Sequence, residues 1–237
     1  MSYKLAHISD IHMSPLPGVR SIDLLSKRIT GYINWKRNRA AHMDSDTLVR
    51  LVNAMKAGTP DHIAVTGDLT NLALDAEIAN AALWLRSLGP DSDVSVVPGN
   101  HDAYVDMPFE SAWAHWLSYL ESDPAESEGV SNSAQTSQYP NVFSFPGRLP
   151  SVRIRGDLAL IGVCTALPTK LFFAGGQVGL GQLEQLESTL EALRARDLCR
   201  VVLIHHPVVD GHVARRRRLS DSGALREVLE RAGAELV

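Results

Sequence analysis

The chain has 237 residues, 45 % of them hydrophobic, with a formal net charge of −4 and a pI near 6.1. That is long enough to bury one substantial core, and the balance argues against general affinity for nucleic acid or membrane surfaces. Cys164 and Cys199 are too few for a disulfide framework or a thiolate metal site. Both lie in apolar strand-like runs, so a reduced, cytoplasmic, single-domain protein is expected, without a signal peptide or an apolar run able to span a bilayer.

Residues 4–8 form a short strand that delivers Ser9-Asp10-Ile11-His12. If the extended geometry continues, Asp10 and His12 point the same way. Residues 15–41 mix Ile22, Leu24, Leu25 and Ile29 with Lys27 and Arg28, then run from Gly31 through Trp35 and Arg37 to Arg39. This segment reads either as an amphipathic piece packed on the domain edge or as a cap that meets a phosphate- or lipid-bearing substrate through Trp35, Arg37 and their basic neighbours. Asp44 and Ser45 cap a helix carrying Leu48, Leu51, Val52 and Met55, which Gly58 and Pro60 end. A strand at 62–66 then stops at Gly67-Asp68-Leu69-Thr70-Asn71. The spacing of Ile78, Ala81, Ala82, Leu85 and Leu88 predicts a helix over 75–88, and the strand at 94–97 ends in Pro98-Gly99-Asn100-His101-Asp102. Strand-helix alternation implies parallel strands with right-handed crossovers, which sets all three polar turns along one sheet edge.

A helix is expected over 108–120 around Trp113, Trp116 and Leu117, followed by a polar loop, about 121–140, read as mobile. Runs at 142–145, 151–155 and 158–163, joined at Pro146-Gly147 and Gly156-Asp157, predict antiparallel neighbours in a second sheet. Leu183, Leu186, Leu190 and Leu193 mark a helix over 181–196, and the strand at 200–204 delivers His205-His206-Pro207. Arg215 to Arg218 read as a solvated charge run. Leu225, Val228, Leu229 and Ala232 mark the last helix, Gly233 ends it, and 234–237 begin another strand.

Four strand ends thus offer carboxylate, imidazole and amide oxygen but no thiolate, a donor set that suits Mn, Fe or Zn. Asp10, His12, Asp68, Asn100 and His205 are more than one catalytic ion needs, and a carboxylate on the middle strand can bridge two ions roughly 3.5 to 4 Å apart.

Asp10-x-His12, Gly67-Asp68-x-x-Asn71, Gly99-Asn100-His101-Asp102 and His205-x-Pro207, in this order, resemble the calcineurin-like metallophosphoesterase family. The resemblance implies an α/β fold, a four-layer αββα sandwich of two mixed β-sheets, and two divalent metal ions. It implies that Asp10 and His12 hold one ion, Asp68 bridges, and Asn100 and His205 hold the other. His205 is preferred to His206 because the family's ligand stands two before the proline. By the same resemblance His101 approaches the phosphoryl oxygen or leaving group and Asp102 orients its ring. Asn71 and His206, with Trp35 and Arg37 from the mixed basic and apolar segment, are expected to meet the substrate. The implied reaction is in-line attack at phosphorus by a metal-bridging hydroxide on a small phosphodiester, nucleotide, nucleotide-sugar or lipid-linked substrate, not nucleic acid. A phosphomonoesterase, or a metal-poor interaction scaffold on the same fold, are the alternatives. The family's closing Gly-His-x-His turn is missing, since Gly211-His212-Val213-Ala214 precedes the last helix and lacks the second histidine. The expectation is a C-terminally incomplete fold with one ligand short at each ion, completed by further chain or by another copy in a homo-oligomer.

Overall fold

The computed structural model describes residues 3–40, 45–127 and 149–237. Three short strands, β1 (Leu5–Ile8), β2 (His62–Val65) and β3 (Val94–Val96), form a parallel sheet in the order β1-β2-β3. Every residue of β2 is buried, as a central parallel strand covered on both faces requires. Register decides where the polar turns emerge. Ile8 pairs with Val65 and Val65 with Val96, so the turns after β1, β2 and β3 leave the sheet side by side.

The helices in this half are α1 (Arg28–Asn38), α2 (Ser45–Ala57) and α3 (Asp75–Leu88). Leu48, Val52 and Met55 of α2 and Ile78, Ala81, Ala82, Leu85 and Leu88 of α3 pack in one cluster with Ile8, Ile63, Val65, Val94 and Val96. Leu51, expected inward, faces solvent. The helix expected over 108–120 is broken into 3-10 turns at Phe109–Ser111 and Trp113–Trp116 and one α turn, α4 (Leu117–Leu120). A 3-10 turn eclipses positions i and i+3, and that brings both indoles inward. Trp113 Nε1 donates to the Asp102 carbonyl at 3.2 Å and Trp116 Nε1 to the Ile78 carbonyl at 3.1 Å. Of the polar stretch expected as a mobile loop, residues 121–127 hold a helical turn, α5 (Pro124–Ser127), tied down by Asp123 to Arg155 at 2.8 Å and Glu126 to Arg196 at 2.7 Å. The remainder of that stretch, the strand expected at 142–145, its turn at Pro146-Gly147 and the Asp44 cap lie outside the described residues.

The second sheet has the order β4 (Ser151–Arg155), β5 (Leu158–Val163), β6 (Cys199–Ile204). β4 and β5 are an antiparallel hairpin through Gly156, whereas β5 and β6 are parallel because α6 (Leu180–Arg194) carries the chain back across the sheet. The α6 leucines and Leu225, Val228 and Ala232 of α7 (Ser222–Ala232) cover its outer face. Between the sheets, Ala64 and Val97 meet Leu160, Val201 and Leu203. The result is the expected order of helices, sheet, sheet, helices, with the first sheet parallel and the second mixed. The segment after α7 pairs in parallel along β6 through a bridge between Val201 and Leu236, with Arg200 and Glu235 2.6 Å apart.

Candidate metal centre

The extended backbone of β1 stops at Ile8. Asp10, His12 and Asp68 take left-handed φ values of 54°, 42° and 55°, so the expected strand-like alternation of Asp10 and His12 does not hold. Such conformations are costly for residues with a Cβ, and the surrounding bonds maintain them. Asp10 N donates to Gly67 O at 3.1 Å, His12 N to Asp68 O at 2.8 Å and Met13 N to Leu69 O at 3.0 Å, so the first two turns run paired beyond the sheet. The third turn approaches through two glycines. A Cβ on Gly67, whose φ is +85°, would strike the Gly99 backbone, and one on Gly99 would strike Asp68 Oδ1.

Asp68, at the end of the middle strand, is the centre of the cluster. Its Oδ2 lies 3.5 Å from His12 Nε2 and its Oδ1 lies 3.5 Å from His205 Nε2, while Oδ1 also accepts from His101 N at 2.7 Å. Each flanking imidazole is oriented through its other nitrogen: His12 Nδ1 is 3.0 Å from the Thr70 carbonyl and His205 Nδ1 is 2.7 Å from the Thr66 carbonyl. A nitrogen donating to a carbonyl leaves Nε2 with its lone pair free, the arrangement by which ligating histidines are commonly held. Arg39 Nη1 also stands 3.1 Å from His12 Nδ1. Ligand atoms of His12, Asp68 and His101 form one group within 4.8 Å of one another, and those of Asp10, Asp68 and His205 form a second. Asp68 belongs to both, and Asn100 lines the same cavity.

Burial, and then the nearby Arg39 charge, bring His12 down to about 4 from its ordinary value, and burial followed by His205 does the same for His206. His101 is pushed well below its usual value by burial and by His12. These imidazoles are therefore neutral at pH 7, the form that ligates. Asp68 is driven the other way, raised by burial and by the neighbouring Asp10 carboxylate. Neutral nitrogen donors around the buried Asp68 and its exposed neighbour Asp10 fit divalent cations, which would relieve the repulsion between the two carboxylates.

His101 and Asp102 separate at once. The ring expected to lean on Asp102 is instead anchored by Nδ1, 2.6 Å from the Asn71 carbonyl; it stacks on Tyr104 at 5.4 Å and meets His12 edge-on at 4.6 Å. Asp102 lies buried beneath the turn, and a buried carboxylate must take whatever donors surround it. It accepts from Gly99 N at 2.9 Å, Thr70 N at 3.0 Å and Thr70 Oγ1 at 3.2 Å, tying the second turn to the third. Asn71 also belongs to the framework: its amide donates to the Met13 carbonyl at 2.9 Å and its backbone N to the buried Glu77 at 2.7 Å.

Above the cluster is a cavity of about 710 Å³. α1 forms one wall with Lys27, Gly31, Asn34, Trp35 and Arg39; Phe172 and Phe173 face it, and Arg216 and Arg217 close the rim. Trp35 is where the sequence suggested, but Arg37 does not line the cavity and Arg39 does. With 100° per residue, Lys27, Gly31 and Asn34 share one side of α1, but that period does not separate Arg37 from Arg39, which is the C-cap just past the helix end. His206 lines the cavity with both ring nitrogens engaged, Nδ1 with Thr165 Oγ1 at 2.7 Å and Nε2 with the Ala174 carbonyl at 3.3 Å. Lys27 lies 4.6 Å over the Tyr104 ring and donates to Thr169 Oγ1 at 2.7 Å; burial lowers it to about 8. Tyr104, Phe172 and Phe173 carry no sequence pattern that marks them, and the four-arginine run, read as solvated, contributes two residues to the rim.

Among solved structures, this chain is similar to a dimetal phosphatase from Danio rerio, with 13 % identity and a TM-score of 0.62 over 99 % of this chain and 79 % of that one. At that identity the likeness speaks for the fold. Comparison with curated proteins finds no match. The family model described as calcineurin-like phosphoesterase matches residues 3–237, the span that contains every strand end described above. The chain belongs to the calcineurin-like phosphoesterase family.

Proposed function

We propose that the protein hydrolyses a phosphodiester or pyrophosphate bond at a centre of two divalent ions. The observation that carries this reading is Asp68, whose two oxygens each face the free nitrogen of a different histidine. Asp68 would bridge, with Asp10 and His12 on one ion and Asn100 and His205 on the other; Asp10, grouped in space with His205, borders both positions. When bound, two such ions neutralise phosphoryl oxygens and make a water nucleophilic at neutral pH. The protein's own part is to aim and to hold. The Thr66 and Thr70 carbonyls fix the two imidazoles, and the Asn71 carbonyl fixes His101. His101 Nε2 is left to hold a proton near the leaving oxygen, and an anionic ester in the cavity raises its proton affinity against the lowering that burial imposes.

Lys27, Arg39, Arg216 and Arg217 ring the cavity beyond the cluster, which favours a substrate with anionic charge besides the reacting phosphoryl group. Trp35, Phe172 and Phe173 favour an apolar or aromatic substituent. Buried, unpaired Cys164 supports a reducing compartment such as the cytoplasm. The test is metal content per chain together with rates on matched phosphomonoesters, phosphodiesters and pyrophosphate diesters. Two ions per chain and faster cleavage of diesters or pyrophosphates are expected. A preference for monoesters would overturn the substrate class, and a metal-free, inert protein would return the scaffold reading.

A further inference from the structure

The net charge of −4 hides a strong local asymmetry. Residues 15–41 hold six Lys or Arg and one Asp, a local +5 that leaves −9 on the rest of the chain. The single acid, Asp23, is paired with Arg20 at 2.8 Å. In the same segment Ile22, Leu25, Ile29 and Ile33 are 64, 78, 47 and 44 % exposed. Ile29 and Ile33 stand four apart on one side of α1; Ile22 belongs to the 3-10 turn and Leu25 to its C-cap, just before the helix. Within α1 the helical period sets Ile29, Ile33 and the exposed Lys36 opposite Lys27, Gly31 and Asn34, which line the cavity. The cavity-side face of α1 is seated firmly. Arg28 donates to the Leu72 carbonyl at 2.9 Å and to the Ala73 carbonyl, and Gly31 sits against Tyr104 and Leu72. On the opposite face Ile29 and Ile33 remain nearly half exposed and Lys36 is exposed. Lys27 joins the segment to the loop of Leu171 and Phe172, which adds further exposed apolar surface at the cavity mouth.

An aliphatic patch beside the exposed Lys36 and Arg37, on a firmly held helix, is the chemistry of an interfacial element, which buries its apolar side chains among lipid tails and sets its cations against acidic headgroups. Nucleic acid would satisfy the cations but leave four aliphatic side chains in water. We propose that α1 and the turn before it dock the protein onto an anionic lipid surface, with the cavity opening beside the docked helix. The −9 on the remaining residues is repelled by the same surface and so fixes which face approaches. Surface attachment is the appropriate mode, since among the described residues no helix is long and apolar enough to cross a membrane.

The experiment is co-sedimentation of the full chain with vesicles of phosphatidylcholine alone or mixed with phosphatidylglycerol. Binding is expected to the mixed vesicles, to weaken with salt, and to be slight with phosphatidylcholine alone. The triple change Leu25→Ser, Ile29→Ser, Ile33→Ser should lower partitioning by about tenfold or more, and Lys36→Glu should reduce the preference for the anionic vesicles. Hydrolysis of bis(4-nitrophenyl) phosphate without vesicles should be unchanged in both variants, which shows an intact fold and separates failure of docking from failure of the proposed hydrolytic function. Absence of sedimentation, or sedimentation that neither variant alters, overturns the proposal. So does a dimer in light scattering that the triple change dissociates while vesicle binding is nil, because the patch would then belong to a second copy.

Discussion

His101 and Asp102 are adjacent in sequence, and under the proposed function they divide between reaction and framework. With its ring held by the Asn71 carbonyl and Tyr104, His101→Ala should cut turnover by about 10²- to 10⁴-fold while metal content stays the same. Because His101 also lies within ligand distance of His12 and Asp68, a loss of metal in that variant would reassign it as a ligand. Asp102→Ala, by contrast, strands the Gly99 and Thr70 donors and should lower stability by roughly 2–4 kcal/mol, read as a drop in melting temperature at unchanged metal stoichiometry. These two roles were not separable in the sequence, because both partners come from the turn after β2, some thirty residues away. The residue types at the strand ends were legible; the hydrogen bonds that aim them were not. His62 gives a prediction away from the site. It is buried in β2 with Nε2 2.8 Å from Ser95 Oγ, and burial, reinforced by Arg155, lowers it from 6.5 to about 4. Between those values the unfolded chain takes up a proton that the folded chain refuses, so stability falls as pH drops through that window, by up to about 3 kcal/mol. Melting temperatures from pH 7 to 4, in chelator, should therefore slope less steeply for His62→Gln; an equal slope would place the protonation elsewhere.

Elements with one strong period were readable almost to the residue. α3 runs over the expected 75–88, and α6 and α7 bury the leucines that marked them. The stretch at 108–120 failed because Trp113 and Trp116 satisfy an α-helical and a 3-10 spacing equally well, and only the carbonyls waiting at Asp102 and Ile78 decide between them. α1 is the element whose role depended on tertiary placement. Its sequence fitted an edge helix or a cap, and its two faces now divide the two properties, one lining the cavity and the other exposing aliphatic side chains. If the cavity face meets substrate, Trp35→Ala and Arg39→Ala should raise KM for bulky anionic diesters several-fold more than for a small nitrophenyl ester. Arg37→Ala, outside the cavity lining, should leave both constants alone. Equal effects on the two esters would make Trp35 and Arg39 structural supports of α1.

At the scale of the whole molecule the candidate metal centre is also a joint. Asp10, His12, Asp68 and Asn100 leave the first sheet, whereas His205 leaves β6 of the second and reaches across to the Thr66 carbonyl. The sheets are otherwise held by the apolar layer around Ala64, Leu160 and Val201 and by the buried Arg153, which carries four backbone bonds from β4 to Glu121, Ser118, Asp91 and Val94. Ions shared by ligands from both sheets would add a cross-link that the unfolded chain cannot form, so metal should stabilise the folded state by mass action. One site at roughly 100 times its Kd contributes about 2.7 kcal/mol, worth about 5–10 °C in a chain of this length. Titrating Mn²⁺ into chelator-treated protein should raise the melting temperature by at least that amount. Asp68→Asn, which weakens the shared ligand, should remove the shift almost completely, and His205→Ala should remove half or more of it while the metal-free melting temperature changes much less. A full shift in His205→Ala would mean that the ions are held by the first sheet alone, and the joint would then rest on the apolar layer and Arg153.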